Sequence, residues 1–333
     1  MSLAAGIDAG GTKLLGVVLS ATGEAVCELR REITGGGRLL LEEIAGMTLL
    51  LHDAAGPGAG ATMTLGVGVA GLVDRNGVLQ MSPNLPMAGG TAVLARLADD
   101  ARLGGVVEHI AVDNDASCAG LGECSYGAAR DQSDVLFVTL GTGIGGAMIS
   151  GGRRVAGANN FAGEIGHMVI DRDGLACGCG RRGCWELYAS GSALGRLGRE
   201  AAAAGRASAV LELAGGDAEL VRGEHVVLAS EQGDSEAASL LAELAWWLGL
   251  GLVNLINVLD PELVVLGGGL VRAGEALLAP ARAAVLGHLP AASERPPVEI
   301  VSGALGDRAG AIGAAVMARC GRHDSPVSPK AEP

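Results

Sequence analysis

Three cysteines and one histidine lie close together near the middle of the chain. His167 precedes Cys177 by ten residues, and Cys177, Cys179 and Cys184 follow in the segment CGCGRRGC. Three thiolates and one imidazole suit tetrahedral Zn²⁺, and a full set of four protein ligands indicates a closed, structural site. The alternatives are buried reduced thiols or a redox pair. Because all four donors are of the right type, the pattern favours zinc.

Two glycine-rich turns indicate a second kind of chemistry. Each follows an apolar run, GGTK after LAAGIDA and GTGIGG after VLFVTL. GTGIGG has the spacing of the dinucleotide fingerprint, but AMIS and another glycine pair follow it where that motif requires a helix. The Rossmann interpretation therefore fails, and GGTK lacks the first half of a P-loop. The residues of interest in the two turns are Gly10, Gly11, Thr12, Lys13, Gly141, Thr142, Gly143, Gly145 and Gly146.

Glycine turns of this kind can present backbone N–H groups and a threonine hydroxyl to a polyphosphate. Either turn alone is more typical of an ordinary hairpin. The pair, together with Asp8 and Lys13, favours phosphate binding from two sides. Asp8 lies where a carboxylate could hold Mg²⁺, directly or through water.

Further polar residues lie between these landmarks. Asn84 stands between two prolines, and Asn114 and Asp115 occupy a predicted strand-to-helix junction. Asp115 fits a general base, although in isolation a helix N-cap is the simpler interpretation. Glu164, in AGEIGH, is in isolation more typical of a surface carboxylate, and Glu186 follows the last cysteine of the cluster. Carboxylates and amides of this kind bind the hydroxyl groups of a polyol.

Length and composition limit the class of protein. The 333 residues are enough for about two domains, and 49% hydrophobic against 18% charged residues exclude a disordered chain. A net charge of −13 argues against nucleic acid or an anionic membrane as the main partner. Seven cysteines are too sparse for a disulfide scaffold. No basic and apolar leader precedes Asp8, so no signal peptide is expected and the cytoplasm is the predicted compartment.

The elements that must position these residues alternate between strands and helices. Strands are predicted at 3–8, 14–20 and 25–33 as a meander, and the segment 136–155 repeats that design around GTGIGG. The repeat predicts two domains of related topology. Helices are predicted at 39–54, 91–101, 235–259 and 308–320, and from 115 and 273 onwards. The helix 235–259 is apolar enough to suggest a membrane span, but its length and asparagines favour a buried core helix. Its Trp246 and Trp247 belong either to an interface or to the core, and the core is favoured.

Taken in order, the segments GIDAGGTK, SPNLP, DNDAS, TLGTGIGGAMISGG, AGEIGH and CGCGRRGCWELYASG resemble the ROK family of sugar kinases and sugar-responsive repressors. The likeness runs from Gly6 to about Ala318, and the cysteine segment is most similar to the glucokinase branch. It implies an α/β, actin-like (ribonuclease-H-like) ATPase fold, with two related domains around a cleft and a zinc-binding loop. We expect one domain at 1–112 plus 308–322, the other at 113–307, and a disordered tail at 323–333.

The resemblance also implies roles for individual residues. ATP would place its phosphates on the turns 10–13 and 141–146 beside Asp8, and its adenosine near Gly267, Gly268 and Gly269. Asp115 would be the catalytic general base. The sugar would be bound by Gly71, Asn84, Asn114, Asp115, Glu164, His167 and Glu186. One ring nitrogen of His167 would bind the structural zinc ion and the other would donate to a sugar hydroxyl.

The expected function is an ATP-dependent hexose kinase that converts glucose to glucose 6-phosphate. The alternatives are a kinase for another hexose (N-acetylmannosamine, N-acetylglucosamine, fructose or mannose) and a ROK-type sugar sensor. Repressors of this kind carry a helix-turn-helix before the first turn, and because seven residues precede Asp8, no DNA-binding domain is expected. The family also implies a homodimer or a higher homo-oligomer.

Overall fold

The computed structural model of the chain describes residues 3–33, 39–56, 58, 61–85 and 87–320. Its strands are β1 (Leu3–Ala9), β2 (Lys13–Leu19), β3 (Ala25–Glu32), β4 (Met63–Val69), β5 (Leu72–Val73), β6 (Val78–Met81), β7 (Thr91–Ala92), β8 (Val107–Asn114), β9 (Val135–Leu140), β10 (Ile144–Ser150), β11 (Arg153–Arg154), β12 (Leu263–Gly267) and β13 (Glu299–Ser302). Its helices are α1 (Leu40–Ala55), α2 (Val93–Ala98), α3 (Asp115–Tyr126), α4 (Glu186–Ala189), α5 (Gly191–Ala203), α6 (Ser208–Leu213), α7 (Gly223–Glu231), α8 (Ser235–Leu259), α9 (Glu275–His288) and α10 (Ala309–Cys320). The strands and long helices that the sequence predicts are present, with ends shifted by a few residues.

Two five-stranded sheets share one strand order. The first runs β3-β2-β1-β4-β8 and the second runs β11-β10-β9-β12-β13. In each, the central strand leads into a glycine turn. The central strand β1 pairs antiparallel with β2 and parallel with β4, and the central strand β9 lies between β10 and β12. The predicted relation between the two halves is therefore confirmed. Strand β10 begins at Ile144, inside GTGIGG, and pairs with β11 where a Rossmann motif requires a helix, so the rejection of that motif is also confirmed.

The chain divides into two compact units. The first comprises the described parts of Met1–Phe137, Ala147–Gly163 and Gly303–Pro333, and the second comprises Val138–Gly146 and Glu164–Ser302. This division differs from the predicted boundary at residue 112, because α3 lies in the first unit. The predicted tail, 323–333, lies outside the described residues.

The core of the first unit lies on both faces of its sheet. Helix α1 packs on one face, and α10 packs on the other against β1, β4 and α3. The approach of α10 is close enough to require glycine. A Cβ on Gly66 would lie 1.7 Å from the Ala314 carbonyl oxygen, and one on Gly313 would lie 1.7 Å from the Cys118 carbonyl oxygen. These contacts fix α3, which the sequence assigned to the other domain, beside the first sheet.

Helix α8 is the long apolar helix of the second unit. It begins after the N-cap Asp234, whose side chain accepts a hydrogen bond from the Ala237 amide, as the sequence predicts. It has the length and composition of a membrane span, yet 61% of its apolar window is buried inside the protein, which is typical of a core helix. Of the two positions considered for Trp246, the favoured core position is wrong: its side chain is exposed on the helix surface, where the ring contacts His288.

Candidate active site

In the first unit, Asp8 lies at the end of β1, where the strand gives way to the turn 10–13. The turn closes with a hydrogen bond from the Gly10 amide to the Lys13 carbonyl oxygen, 3.1 Å. The N-terminal turn of α10 lies against Asp8, because a Cβ on Gly310 would come within 2.7 Å of its Oδ2. Burial, and then the nearby carboxylates of Asp115 and Asp307, raise the pKa of Asp8 to about 8.

Asp115 is the first residue of α3, directly after β8. Its Oδ1 accepts hydrogen bonds from the Ala116 amide (2.9 Å) and from Asn114 Nδ2 (3.0 Å). Burial raises the pKa of Asp115 despite these donors. The helix is capped by Asn114, whose Oδ1 accepts from the Ser117 amide at 2.9 Å. The interpretation of Asp115 as an N-cap is therefore wrong, and its carboxylate is left for another role.

The segments around Gly71 and Asn84 line the same part of the first unit. Asn114 Nδ2 donates to the Gly71 carbonyl oxygen at 3.0 Å, and Gly71 has a φ of 136°, which disfavours any side chain. Ser82 Oγ donates to the Ala70 carbonyl oxygen and accepts from the Leu85 amide, which holds the loop that carries Asn84. A Cβ on Gly11 would lie 2.8 Å from the Asn84 carbonyl oxygen, so the Asn84 loop contacts the first glycine turn.

In the second unit, the turn 141–146 borders a cavity of about 640 Å³, a volume in the range of small-molecule sites. Gly191 at the start of α5 donates its amide to the Gly141 carbonyl oxygen at 2.8 Å, which fixes the helix to the turn. The cavity is lined in part by Gly141, Thr142, Gly191, Ser192, Gly195, Arg199, Arg222, Gly223, Glu224, Gly269 and Arg272.

The structure places only part of the predicted adenosine site at this cavity. Gly269 lines it, whereas Gly267 and Gly268 do not. A Cβ on Gly268 would lie 2.5 Å from the Leu140 carbonyl oxygen, so this glycine packs against the end of β9. The residues contributed by α5 and α7 were missed by the sequence reasoning. The helical alternation of apolar and charged residues in 191–203 is the signal that could have found α5.

The predicted zinc ligands meet in the second unit. One donor atom from each of His167, Cys177, Cys179 and Cys184 can be chosen so that all four lie within 4.8 Å of one another. His167 Nδ1 lies 3.9 Å from Cys177 Sγ, and Cys179 Sγ lies 3.5 Å from Cys184 Sγ. A tetrahedral centre with Zn–S bonds of about 2.3 Å separates its ligand atoms by about 3.5–3.8 Å. The cluster therefore fits a zinc ion.

Glu186 joins the cysteine cluster to the second glycine turn. Its Oε1 lies 3.4 Å from His167 Nδ1 and 3.3 Å from Cys177 Sγ. A Cβ on Gly143 would come within 2.5 Å of Glu186 Oε2. Glu164 precedes the short helical turn Ile165–His167, and its carbonyl oxygen accepts from the His167 amide at 3.2 Å. Glu164 is exposed, as a surface carboxylate would be.

The predicted site residues thus form two groups. The first unit brings together Asp8, Gly10, Gly11, Gly71, Asn84, Asn114 and Asp115, and the second brings together Gly141, Thr142, Gly143, His167, Cys177, Cys179, Cys184 and Glu186. The first group offers carboxylates and amides, and the second offers a glycine turn, a cavity and a metal-binding cluster.

Comparisons with known proteins cover nearly the whole chain. The profile of the ROK family matches residues 4–320. A glucokinase from Streptomyces coelicolor is 34% identical over 322 residues, covering 96% of this chain and 98% of that protein. A glucokinase from Thermotoga maritima is 33% identical over 313 residues, covering 93% and 95%. The crystal structure of a ROK family glucokinase from Streptomyces griseus in complex with glucose and AMPPNP matches with a TM-score of 0.84 and 33% identity, covering 96% of this chain and 100% of that chain.

Proposed function

The chain belongs to the ROK family, and on that premise we propose that it is an ATP-dependent hexose kinase that phosphorylates glucose. The observation that carries this proposal is the Asp115 carboxylate, held by donors on one oxygen at the junction of β8 and α3. Similarity to glucokinases over more than nine-tenths of the chain supports the choice of sugar. The actin-like fold class expected from the sequence is that of this family.

Asp115 is the proposed general base. Both hydrogen bonds described above end on Oδ1, so we assign Oδ2 to the attacking sugar hydroxyl. A carboxylate whose pKa is raised by burial accepts a proton more readily than an exposed one. As the sugar oxygen attacks the γ-phosphorus in line, Asp115 would take the hydroxyl proton. Positioning and charge neutralisation supply most of the rate acceleration in such a transfer.

In the second unit, we assign the nucleotide to the glycine turn 141–146 and the 640 Å³ cavity. In the first unit, the backbone amides of 10–13 and the Lys13 ammonium are proposed as phosphate-binding groups. Adenosine would lie in the cavity near Gly269 and Thr142. Asp8 would hold Mg²⁺, directly or through water, and the ion when bound neutralises phosphate charge. A chain with net charge −13 can still bind ATP because these groups act locally.

The cysteine cluster is proposed to hold a structural zinc ion. His167 would bind it through Nδ1, the ring atom that faces Cys177 Sγ. That choice leaves Nε2 protonated and able to donate to a sugar hydroxyl. Glu186, which contacts the same histidine, would accept from a neighbouring hydroxyl.

A coupled ATP-consumption assay tests the proposal with glucose, mannose, fructose, N-acetylglucosamine and N-acetylmannosamine. We expect glucose to give the highest kcat/KM. Asp115→Asn keeps the shape of the side chain but removes the base, so kcat is expected to fall by about 10²–10⁴-fold. Asp173→Asn, an exposed carboxylate in the second unit, is the matched control and is expected to leave kcat unchanged. Full activity of Asp115→Asn would refute the assignment of the base.

We also propose a homo-oligomer in the cytoplasm. The proposal rests on the family, and Trp246 on α8 and Leu286 on α9, which are 40% and 64% exposed, are the apolar side chains we assign to the contact. Light scattering at several protein concentrations tests this, and a monomer at every concentration would refute it.

A further inference from the structure

Asp113 and Arg154 form a buried ion pair, and Asp113 lies two residues before the proposed general base, Asp115. Arg154 Nη2 lies 2.8 Å from Asp113 Oδ2, and the two side chains are 4% and 1% exposed. Arg154 Nε and Nη1 are buried and find no hydrogen-bond partner among the described residues. Burying two charges and leaving N–H groups unsatisfied costs free energy. A contribution to the stability of the fold therefore does not by itself account for this buried ion pair.

Asn160 completes the cluster. Its Oδ1 accepts from Arg154 Nη2 at 2.7 Å, and its Nδ2 donates to Asp113 Oδ1 at 2.9 Å. The side chain is buried, and the backbone adopts a φ of 70°, which asparagine tolerates better than most residues. Each end of the amide is thus committed to one partner of the ion pair.

The cluster makes two backbone contacts, one with the Asn114–Asp115 turn and one with the segment 71–73. Asp113 Oδ1 accepts from the Asn114 amide at 2.8 Å, one residue before Asp115. Asn160 Nδ2 also donates to the Val73 carbonyl oxygen at 3.0 Å. Two residues earlier, the Gly71 carbonyl oxygen accepts from Asn114 Nδ2. The segment 71–73 and the Asn114–Asp115 turn are therefore tied to the same buried group.

We propose that Asp113, Arg154 and Asn160 are positioning residues for the general base, fixing the Asn114–Asp115 turn and the segment 71–73 in one arrangement. This rests on the proposed kinase function. In this role Arg154 holds Asp113 in place, Asp113 Oδ1 orients the Asn114 amide, and Asn160 fixes the sugar-binding backbone beside it.

Two double variants separate positioning from stability. Arg154→Met alone leaves a buried carboxylate unpaired and is expected to lower both Tm and kcat. Asp113→Asn with Arg154→Met removes both charges but keeps an oxygen that can accept from the Asn114 amide. Asp113→Leu with Arg154→Met has nearly the same shape and lacks that oxygen. Both double variants are expected to recover most of the Tm that Arg154→Met loses.

The two double variants are expected to differ in catalysis. The Asn variant recovers most of the wild-type kcat, whereas the Leu variant loses about 10–100-fold, the effect of a displacement of about 1 Å at a reacting group. KM for ATP is expected to stay within about twofold in both, since the proposed adenosine cavity is lined by residues of the second unit. Equal kcat in the two double variants would overturn the positioning role.

A third variant tests the segment 71–73. Glycine adopts a φ of 70° freely, so Asn160→Gly removes the amide without straining the backbone. The KM for glucose is expected to rise several-fold while the KM for ATP stays constant. An unchanged KM for glucose would exclude Asn160 from the positioning group.

Hydrogen exchange distinguishes a failure of this inference from a failure of the proposed function. The Asn114 amide is expected to lose protection in the Leu double variant and keep it in the Asn double variant, whatever reaction the protein catalyses. A wild type that phosphorylates none of the five sugars would refute the function. Equal protection in both double variants would refute the inference.

Discussion

Replacing Gly251 by alanine is expected to disturb the loop of the cysteine cluster through Trp185, against which α8 packs. Gly251 lies in α8, and a Cβ there would stand 2.0 Å from Cε2 of Trp185. The indole is fully buried, and its Nε1 donates to the Trp247 carbonyl oxygen at 2.9 Å. Since Trp185 stands between Cys184 and Glu186, a shift of its ring moves a predicted zinc ligand and a predicted sugar ligand together.

The structure allows the size of the effect to be worked out. Carbon atoms in contact prefer about 3.5–4.0 Å, so the ring or the helix must move by about 1.5–2 Å. Overpacking of this kind costs about 1–3 kcal/mol, and breaking the buried indole hydrogen bond costs about 1–3 kcal/mol more. Because alanine has a better helix propensity than glycine, it offsets about 1 kcal/mol of this loss in the free energy of unfolding. The net loss is about 1–5 kcal/mol, or roughly 3–15 °C in Tm for a unit of this size.

Thermal unfolding and a glucose titration measure the two consequences. Gly287→Ala is the matched control, because this glycine lies near the end of α9 with no atom within 4 Å of its Cβ direction. The control is expected to gain up to about 1 kcal/mol. Gly251→Ala is expected to lower Tm and to raise the KM for glucose. If Gly251→Ala raised Tm as the control does, the close packing of α8 on Trp185 would be refuted.

Three further changes are expected to act on the site itself. Cys179→Ser is expected to reduce bound zinc from one ion per chain, measured by elemental analysis, and to lower Tm because the loop loses a cross-link. Asp8→Asn is expected to raise the Tm of the nucleotide-free protein more at pH 8 than at pH 5. The folded state holds the Asp8 proton up to about pH 8, so stability falls as pH rises above the carboxyl group's unfolded pKa. Gly143→Ala is expected to displace Glu186 and raise the KM for glucose several-fold.

Each change has a control and a result that would count against it. Cys320→Ser, an exposed cysteine outside the cluster, is expected to keep the zinc content, and full zinc content in Cys179→Ser would argue against the ligand set. A Tm gain from Asp8→Asn that is equal at both pH values would contradict the raised pKa of Asp8. A Cβ on Gly141 meets no atom within 4 Å, so Gly141→Ala is expected to spare the KM for glucose. Equal KM values in the two glycine variants would contradict the contact with Glu186.

Much of the fold follows from apolar runs that end at polar residues or glycine. Strand β9 and helix α8 have the predicted bounds because VLFVTL stops at Gly141 and because Asp234 caps a long apolar helix. Helix α5 was missed for a physical reason. Its buried residues are Ala193, Leu194, Gly195, Gly198, Ala201 and Ala202, and only one of these is a large apolar side chain. The segment does have a clear helical period of apolar and polar residues. Its glycines, Gly191, Gly195 and Gly198, are poor helix formers, so local propensity argues against the helix that the period indicates.

The candidate site, like the fold, could be predicted only in part. The cysteine cluster could be predicted because ligand type and spacing carry the information. The residue that caps α3 could not be predicted, since Asn114 and Asp115 are adjacent and both residue types cap helices well. The burial of Arg154 could not be predicted either, because two adjacent arginines after a glycine turn are normally exposed to solvent. Its environment depends on Asp113, which is distant in sequence and adjacent only after folding.

The packing of α10 has a consequence for how the chain is made. Helix α10 is the last described element, yet it covers one face of the first sheet and meets Gly66 and Gly313 at backbone contact distance. During synthesis, β1–β4 emerge long before the residues that bury that face. The first unit must therefore wait with an apolar sheet face uncovered until residues 309–320 have emerged, and the second unit can complete its own core earlier. A nascent chain halted before residue 309 therefore exposes the apolar face of the first sheet, a surface that chaperones bind.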